Sequence, residues 1–466
     1  MAEQRQNVGC ALDNIAARAV NALNAGFTQI IIILRRYDAT GNNLDVATPG
    51  FAQTLYELWD QCLVTCSKAG GTGNSLAFSE PRVLQWVMDS LRWWVQAFGV
   101  DGFRFDLAVS LGRDAAIGHA FNPRSALLSA MAQDPVLRGV RLIAEPWDVG
   151  PGGYHTGGFE AGWLEWNDRF RDGVRAFWLG HHGTRGELAT RTCASGDLFH
   201  RHGRLPAASV NMVTAHDGFN LADLTAYQHK HNAANGEDNR DGHGHNLSAH
   251  GGVEGATDDP VVLHRRALWR RALLATLFCA QGTPQLLAGD ELGHSQQGNN
   301  NVYCQDNAIT WLDWAQADAS LTGFVAGLAA LRRQHPGLRH ARWFEGAGNT
   351  PHKAPTDIAW LDTDGHPMAP EAWQAHDRHT LTAVITVGDT GAAPTERLWV
   401  AWHAGPGANT LPLPDGDWRV ALDSAGAVAN PGREVTVAGQ LTLNETGVWV
   451  LVQGLHVPDG HSPGRS

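Results

Sequence analysis

The sequence lacks the features that mark membrane, secreted and nucleic-acid-binding proteins. No basic stretch leads into an apolar run at the amino terminus, and the apolar run at 30–34 is far too short to cross a bilayer. The formal net charge is −12, opposite in sign to the basic stripes that bind phosphate backbones. We therefore expect a cytoplasmic protein that binds neither membrane nor nucleic acid.

Cysteine is also scarce, and its placement disfavours the common metal sites. The six cysteines are spread through 466 residues without the paired spacing of zinc ligands. Cys62 and Cys66 lie four residues apart, but no second pair at a matching spacing completes a site. The sequence predicts a reduced protein with neither a metal site nor a cofactor.

Three short segments carry the chemistry. Residues 102–106, 144–147 and 215–218 each end an apolar, strand-like run with a carboxylate that turn residues follow. Because parallel strands of a barrel bring their carboxyl ends to one face, the three acids are expected to line one pocket. Singly, such an acid is more often a cap or a solvated turn residue, and Arg104 with Asp106 could be a structural ion pair. The three together favour an active site.

Helix and strand patterns alternate around these segments. Apolar residues recur at helical spacing after Ser79-Glu80-Pro81 as far as Gly99, and a strand-like run at 100–106 follows at once. This alternation predicts a parallel α/β sheet or barrel. Further helices are predicted at 11–23, 125–131, 265–279 and 321–331, and further strands at 28–34, 140–145, 210–217 and 284–288.

The remaining segments have other patterns. Residues 230–259 and 296–301 are rich in Asn, Asp, Gly and His without an apolar period, and loops this long are usually functional. Residues 235–241 offer oxygen atoms of the type that calcium binds, but a solvated loop is the favoured interpretation. Beyond residue 336, short strand-like runs separated by Gly, Pro and Asp predict a small antiparallel β-domain.

Taken in order, the three segments resemble signature regions of the α-amylase superfamily of retaining glycoside hydrolases, as do residues 282–293. Four longer strings make the resemblance more specific, and they point to the bacterial isoamylase-type glycogen debranching enzymes. These strings lie at 148–158, 166–172, 234–242 and 296–306, and the resemblance extends over residues 71–455.

The resemblance implies a (β/α)8 TIM-type barrel followed by a small antiparallel β-sandwich. The catalytic barrel portion is then expected at 71–336 and the sandwich at 337–466, with an atypical segment at 1–70. The implied activity is hydrolysis of α-1,6-glucosidic branch linkages in glycogen or limit dextrin by a retaining double displacement. The implied partner is an α-glucan, and the implied location is the cytoplasm.

By the same resemblance, Asp106 is the nucleophile, Glu145 the general acid/base and Asp217 the transition-state stabiliser. Arg104, on the same strand face, would keep Asp106 ionised, and the apolar run before Glu145 would raise its pKa. The resemblance assigns substrate contacts to Arg104 and His216 and, with packing as the alternative, to Trp147, Tyr154, Trp166 and Asn167.

The sequence departs from this family near its amino terminus. The family carries an Asn-His dipeptide on its third strand, whose histidine binds the sugar beside the scissile bond, and this sequence contains none. Only 105 residues precede Asp106, and a βαβ unit takes about 30 residues or more. We expect a truncated member whose barrel is incomplete at its amino-terminal strands. Two alternatives stay open: an inactive remnant that only binds α-glucan, and a related α-glucan hydrolase or transglycosylase.

Overall fold

The computed structural model describes residues 76–201, 203–346, 356–375, 379–388, 395–428 and 436–454, together with the backbone of Ile30–Ile33. These residues form two compact units. The first runs to Trp166 and takes in Arg201–Arg204, and the second comprises Asn167–His200 and the described residues from Leu205 onward. The division falls inside the predicted barrel portion, and the boundary predicted at residue 336 stays a prediction. The helix predicted at 11–23, with Cys62 and Cys66, lies outside the described residues.

Helices and strands alternate as far as residue 334, and strands dominate afterwards. The helices are α1 (Pro81–Phe98), α2 (Ala126–Gln133), α3 (Asp168–Trp178), α4 (Arg185–Thr192), α5 (Gly196–Phe199), α6 (Leu221–Leu224), α7 (Pro260–Cys279) and α8 (Ala319–Gln334). The first strands are β1 (Ile30–Ile33), β2 (Gly102–Phe105), β3 (Arg113–Asp114), β4 (Ala120–Phe121), β5 (Arg141–Ala144), β6 (Trp163–Asn167), β7 (Ser209–Met212) and β8 (Thr283–Gln285). The later strands are β9 (Ile358–Leu361), β10 (Thr380–Val387), β11 (Glu396–His403), β12 (Asn409–Pro412), β13 (Trp418–Asp423), β14 (Thr436–Val437), β15 (Gln440–Leu443) and β16 (Gly447–Gly454).

Helix α1 begins and ends where its sequence predicts. Pro81 lies in the first turn, where its missing N–H costs no hydrogen bond, and Gly99 ends the helix with a φ of +64°. Glu80, not Ser79, is the N-cap residue, and its side chain makes no capping hydrogen bond. Across the part of the chain that the structure describes, no helix is long and apolar enough to span a bilayer.

The first unit contains a parallel sheet. Strand β2 pairs in parallel with β5, and β5 pairs in parallel with β6. Phe103 and Phe105 of β2 enter the apolar core that α1 and α2 cover, which leaves Arg104 on the other face as predicted. Gly102 permits a close approach of β2 to β5, because a Cβ atom there would lie 2.4 Å from the carbonyl oxygen of Arg141.

The outer edge of β2 is paired in an unexpected direction. A strand is present within the predicted range 28–34, but it runs antiparallel to β2, with Ile30 opposite Phe105. A (β/α) barrel has a parallel neighbour at this position. The antiparallel pairing satisfies the backbone N–H and C=O groups that an open edge of β2 would leave unpaired.

The second unit joins a helical layer to an antiparallel sheet. Strands β7 and β8 pair in parallel, and helices α3, α4, α7 and α8 contribute to one large apolar core. The strand predicted at 210–217 ends at Met212, so Asp217 lies in a loop rather than at a strand end. Beyond it the backbone bonds elsewhere: the Val213 carbonyl accepts from Arg175 Nε at 2.8 Å, and the Gly218 N–H donates to a loop.

The carboxyl-terminal β-domain has the predicted sandwich form. Six antiparallel strands lie in the order β14-β13-β16-β11-β10-β9, and β12 pairs with β15 in a separate ribbon. Side chains of β11 alternate: Leu398 and Trp402 enter the core shared with the helices. Trp399 and Ala401 enter a second core with Leu411 of the ribbon. The two faces of one sheet therefore contribute side chains to two different cores.

A buried arginine links the helical layer to the β-domain. Arg185 of α4 is fully buried and donates from Nη1 to Asp362 Oδ1 at 2.8 Å, and from Nη2 to the carbonyl oxygen of Ala372. An exposed pair, His264 and Glu445, joins the same two layers at 2.8 Å. The two contacts differ in burial, and we expect them to contribute different amounts to the free energy of unfolding.

We expect Arg185→Ala to lower the free energy of unfolding by about 3 kcal/mol, because it removes the buried cation that Asp362 and the Ala372 carbonyl share. The matched variant Glu445→Ala removes an exposed pair and should cost less than about 1 kcal/mol. Urea-induced unfolding measures both. Equal losses for the two variants would show that the buried contact does not hold the layers together.

Candidate active site

Arg104, Asp106 and Glu145 come together at the carboxyl ends of two neighbouring strands. Arg104 lies on β2, Asp106 follows β2 directly, and Glu145 follows β5. The parallel register places Phe105 opposite Ala144, and the Glu145 N–H continues the ladder by donating to the Phe105 carbonyl at 3.0 Å. Backbone pairing therefore fixes the main-chain positions from which the Asp106 and Glu145 side chains extend.

Arg104 lies between the two acids. Its side chain is 4% exposed, its Nη1 donates to Asp106 Oδ1, and its Nη2 lies 3.1 Å from Glu145 Oε2. The guanidinium carbon lies 4.0 Å from the centroid of the Trp166 ring, within cation–π distance. Two acids and one aromatic face thus fix the orientation of this arginine.

Glu145 is set apart from Asp106 by its burial. It is 3% exposed, and this desolvation, partly opposed by Arg104, raises its pKa to about 8, with the charge of Asp106 adding to the rise. The Asp106 side chain, by contrast, is 24% exposed. At neutral pH Glu145 is therefore mainly protonated, which matches the predicted direction of its pKa.

The backbone of Leu107 contributes a donor to the same group. Leu107 has a φ of +42°, in the left-handed region that residues with a Cβ seldom adopt. In this conformation its N–H donates to Glu145 Oε2 at 2.6 Å, and the next N–H, of Ala108, donates to the Glu145 carbonyl at 2.9 Å. The strained turn thus gives a deprotonated Glu145 a fixed hydrogen-bond donor.

The loop after Glu145 presents two of the predicted aromatic residues. Trp147, half-buried, pairs through its backbone with Tyr154, which is 45% exposed. Buried Asp148 accepts two hydrogen bonds from Arg113, each of 2.7 Å. The loop is therefore tied down near Trp147, and Tyr154 faces solvent in this unit.

Two further buried residues that sequence reasoning missed, Glu165 and Arg204, hold the end of this loop. Glu165 is fully buried and accepts hydrogen bonds from the N–H groups of Gly157 at 2.5 Å and Phe159 at 3.2 Å. Arg204 neutralises it at 2.5 Å. The signal was an acid inside the apolar run Trp163-Leu164-Glu165-Trp166, which is costly to bury without a partner.

The structure gives Trp166 and Asn167 contacts inside the protein. Trp166 is 6% exposed beneath Arg104. Asn167 is fully buried, caps α3 by accepting from the Phe170 N–H at 2.9 Å, and donates to Ser195 and Ser209 at 2.8 Å each. Packing, the alternative to substrate contact, accounts for these positions, and any contact with substrate stays a prediction.

His216 and Asp217 lie in the second unit, in the loop after β7. Their side chains are 47% and 57% exposed, and His216 Nε2 lies 3.5 Å from Asp217 Oδ2. Buried Asp290 holds both ends of this loop, accepting from the Thr214 hydroxyl and from the Leu221 N–H at 2.8 Å. Burial raises the pKa of Asp290 to about 6.

Part of the polar segments at 230–259 and 296–301 is buried, whereas residues 236–240 are exposed, in agreement with the solvated-loop interpretation of 235–241. Asn232, Asn299 and Asn300 are each at most 2% exposed, and their amide groups bond to one another and to backbone groups. Short amides can be buried in this way because each supplies both donors and acceptors. Within the described ranges, no group of three or more His, Cys, Asp or Glu side chains is placed to hold a metal ion.

The raised pKa of Glu145 predicts a pH-dependent stability. Because folding raises this pKa from its ordinary value of 4.5 to about 8, its stabilising contribution is complete below pH 4.5 and is lost as the pH rises through 8. Glu145→Gln is uncharged throughout. Its melting temperature relative to wild type should rise between pH 5 and 8 and level off above, as measured by calorimetry. A difference that stays constant with pH would contradict the raised pKa.

Comparison with known proteins places this geometry in a family context. No family model matches the chain. A glycogen debranching enzyme of Serratia proteamaculans is 48% identical over 351 residues, covering 75% of this chain and 50% of that protein. One of Pectobacterium atrosepticum is 45% identical over 411 residues, covering 86% and 58% respectively. A glycogen operon protein GlgX homolog of Mycobacterium bovis is 46% identical over 379 residues, covering 80% and 52%.

Solved structures agree on the fold. A type I pullulanase from Bacillus subtilis complexed with maltose gives a TM-score of 0.59 at 20% identity, covering 84% of this chain and 49% of that chain. An Anoxybacillus pullulanase complexed with maltotetraose gives 0.57 at 22% identity, covering 83% and 49%. This chain spans about half the length of the curated relatives it matches. By its sequence identity to them, the chain belongs to the family of bacterial glycogen debranching enzymes.

Proposed function

We propose that this chain hydrolyses α-1,6-glucosidic branch linkages in glycogen or limit dextrin by a retaining double displacement. The observation that carries the proposal is the pair of carboxyl groups on one arginine, with Asp106 accessible and Glu145 buried with a pKa of about 8. Curated relatives named glycogen debranching enzymes and solved pullulanases bound to malto-oligosaccharides support an α-glucan as substrate and partner. Glycogen as the substrate also supports the cytoplasmic location expected from the sequence.

In the first displacement, Asp106 attacks the anomeric carbon while Glu145 protonates the departing glycosidic oxygen. The ion pair with Arg104 directs the Asp106 carboxylate. The buried Glu145 enters the reaction already protonated at neutral pH. The glycosidic bond breaks, its electron pair leaves with the oxygen that receives the proton, and a glycosyl ester forms on Asp106.

In the second displacement, the ionised Glu145 acts as the base. Arg104 Nη2, 3.1 Å away, and the Leu107 N–H, 2.6 Å away, stabilise the negative charge that Glu145 now carries. Glu145 takes a proton from water, the water oxygen attacks the anomeric carbon, and the ester bond to Asp106 breaks. Both acids thus return to their starting protonation states.

The remaining roles follow from the resemblance. Asp217 is assigned to stabilising the oxocarbenium-like transition state, and His216 to binding a neighbouring hydroxyl group. Exposed Tyr154 and half-buried Trp147 offer aromatic surface for the apolar face of a sugar. Trp166 acts through Arg104, whose guanidinium covers its ring.

We expect Asp106→Asn and Glu145→Gln each to lower the release of reducing ends from phosphorylase limit dextrin by about 10³-fold or more, because each removes a group that takes part in bond making. Asp89→Asn is the matched control, since this acid lies exposed on α1, paired with Arg92. A reducing-sugar assay compares the three variants with wild type.

Equal rates for wild type and Asp106→Asn would rule out the catalytic assignment. Two other outcomes would identify the alternatives. Cleavage of linear α-1,4 glucan with no release from limit dextrin would indicate a related hydrolase. Retardation of wild type in a glycogen-containing native gel, with no release from any glucan, would indicate a binding remnant.

A further inference from the structure

A backbone contact beside Asp217 attaches its loop to a second loop. The N–H of Gly218 donates to the carbonyl oxygen of Asn300 at 3.0 Å. Asn300 lies in the Asn-rich string at 296–306, to which the mechanism above gives no role. The Asp217 side chain is 57% exposed, so side-chain packing contributes little to its position. The backbone at Gly218, with a φ of +90°, is therefore what sets its direction.

Asn300 is itself held through all of its polar groups. Its N–H donates to Asn232 Oδ1 at 3.0 Å, and Asn232 Nδ2 donates back to Asn300 Oδ1 at 2.9 Å. Its Nδ2 donates to Asn246 Oδ1 and to the His243 carbonyl, both at 2.8 Å. Asn300 is 1% exposed. A buried amide with this many hydrogen bonds is held in one position, because moving it would break several of these bonds at a cost in free energy.

The loop around Asn300 is anchored independently to the helix that follows Asp217. Buried Asp223 of α6 accepts from the Ser295 hydroxyl at 2.6 Å, the Gln296 N–H at 2.9 Å and the Gly298 N–H at 3.1 Å. The loop is thus tied to the chain on the far side of Asp217 as well as at Gly218. Residues 295–300, called the frame below, thus hold the chain on the carboxyl-terminal side of Asp217.

The chemistry of this frame suits a neighbouring catalytic acid. The side chains that hold Asn300 directly are amides, which supply donors and acceptors but no charge. A lysine or arginine at the same place would add a charge near the acid, whereas amides fix the position of the loop without adding one.

We propose that Asn300 is the positioning residue for Asp217, acting through the Gly218 N–H rather than on the substrate. This inference rests on the proposed function, in which Asp217 stabilises the transition state. Removing the Asn300 side chain weakens the anchoring of its main-chain carbonyl and takes one hydrogen-bond partner from the Asn232 amide and one from the His243 carbonyl. The Asp217 loop then samples positions away from the productive one.

The first test is the kinetics of Asn300→Ala on limit dextrin. We expect kcat to fall between about tenfold and a hundredfold, with KM within about twofold of wild type, because the lost interaction is one that the transition state needs. Asn307→Ala is the matched control, since Asn307 is exposed directly after this string and its side chain bonds to nearby Gln305 and Ile309. A fall in Asn300→Ala that lies entirely in KM would overturn the proposal.

A double-mutant cycle separates positioning from general loosening of the fold. If Asn300 acts through Asp217, adding Asn300→Ala to Asp217→Asn should cause less than about a twofold further loss in kcat. A further loss as large as that of the single variant would show that Asn300 acts elsewhere. Should Asn300→Ala fail to fold by circular dichroism, Asn300→Ser, which keeps a short polar side chain, takes its place in the same cycle.

Amide hydrogen exchange tests the contact without reference to activity. The Gly218 N–H should exchange at least about tenfold faster in Asn300→Ala than in wild type, whereas amides of the distant β11–β16 pairing should be unchanged. Unchanged exchange at Gly218 overturns the positioning role even in an active enzyme. Faster exchange in a chain whose wild type releases no sugar overturns the proposed function and leaves the contact in place.

Discussion

The Arg104 guanidinium, held between two carboxyl groups, is the interaction on which the first unit's chemistry depends. Burying an arginine is costly unless it is paired with an acid. Here Arg104 donates a hydrogen bond to Asp106, whereas burial keeps Glu145 mainly uncharged. The same cation therefore pairs with Asp106 in the resting state and can pair with Glu145 once Glu145 loses its proton. The Trp166 ring fixes the cation in place throughout.

Buried acids also organise the loops at the carboxyl ends of the strands. Asp148, Glu165, Asp223 and Asp290 each accept from backbone N–H groups, and each also binds an arginine or a hydroxyl group. Each acid replaces the hydrogen bonds that a sheet ladder would have made. Irregular backbone is thereby held in one conformation without secondary structure, as the walls of a binding pocket require.

Elements with a strong apolar period were predictable from sequence, and positions set by long-range hydrogen bonds were not. Helix α1 and strand β2 follow from local spacing, and the pairing of Arg104 with Asp106 follows from the two-residue period of a strand. The strand expected to reach Asp217 stops at Met212, and the next carbonyl, of Val213, accepts from the distant Arg175 side chain instead of from a neighbouring strand. Glu165 was missed for a related reason: its partners, Gly157 and Arg204, become neighbours only after folding. The roles of Asp217 and His216 rest on resemblance alone.

Gly102 has a consequence for the stereochemistry of the reaction. In glycoside hydrolases the outcome depends on the gap between the two carboxyl groups, which is about 5 Å for retention and wider for inversion. Here that gap is inherited from the spacing of β2 and β5, which are close at Gly102 because no Cβ atom intervenes beside Arg141. A methyl group at this position would push the strands apart four residues before Asp106. In the proposed reaction, the configuration of the released sugar would thus depend in part on a hydrogen atom where every other amino acid has a carbon.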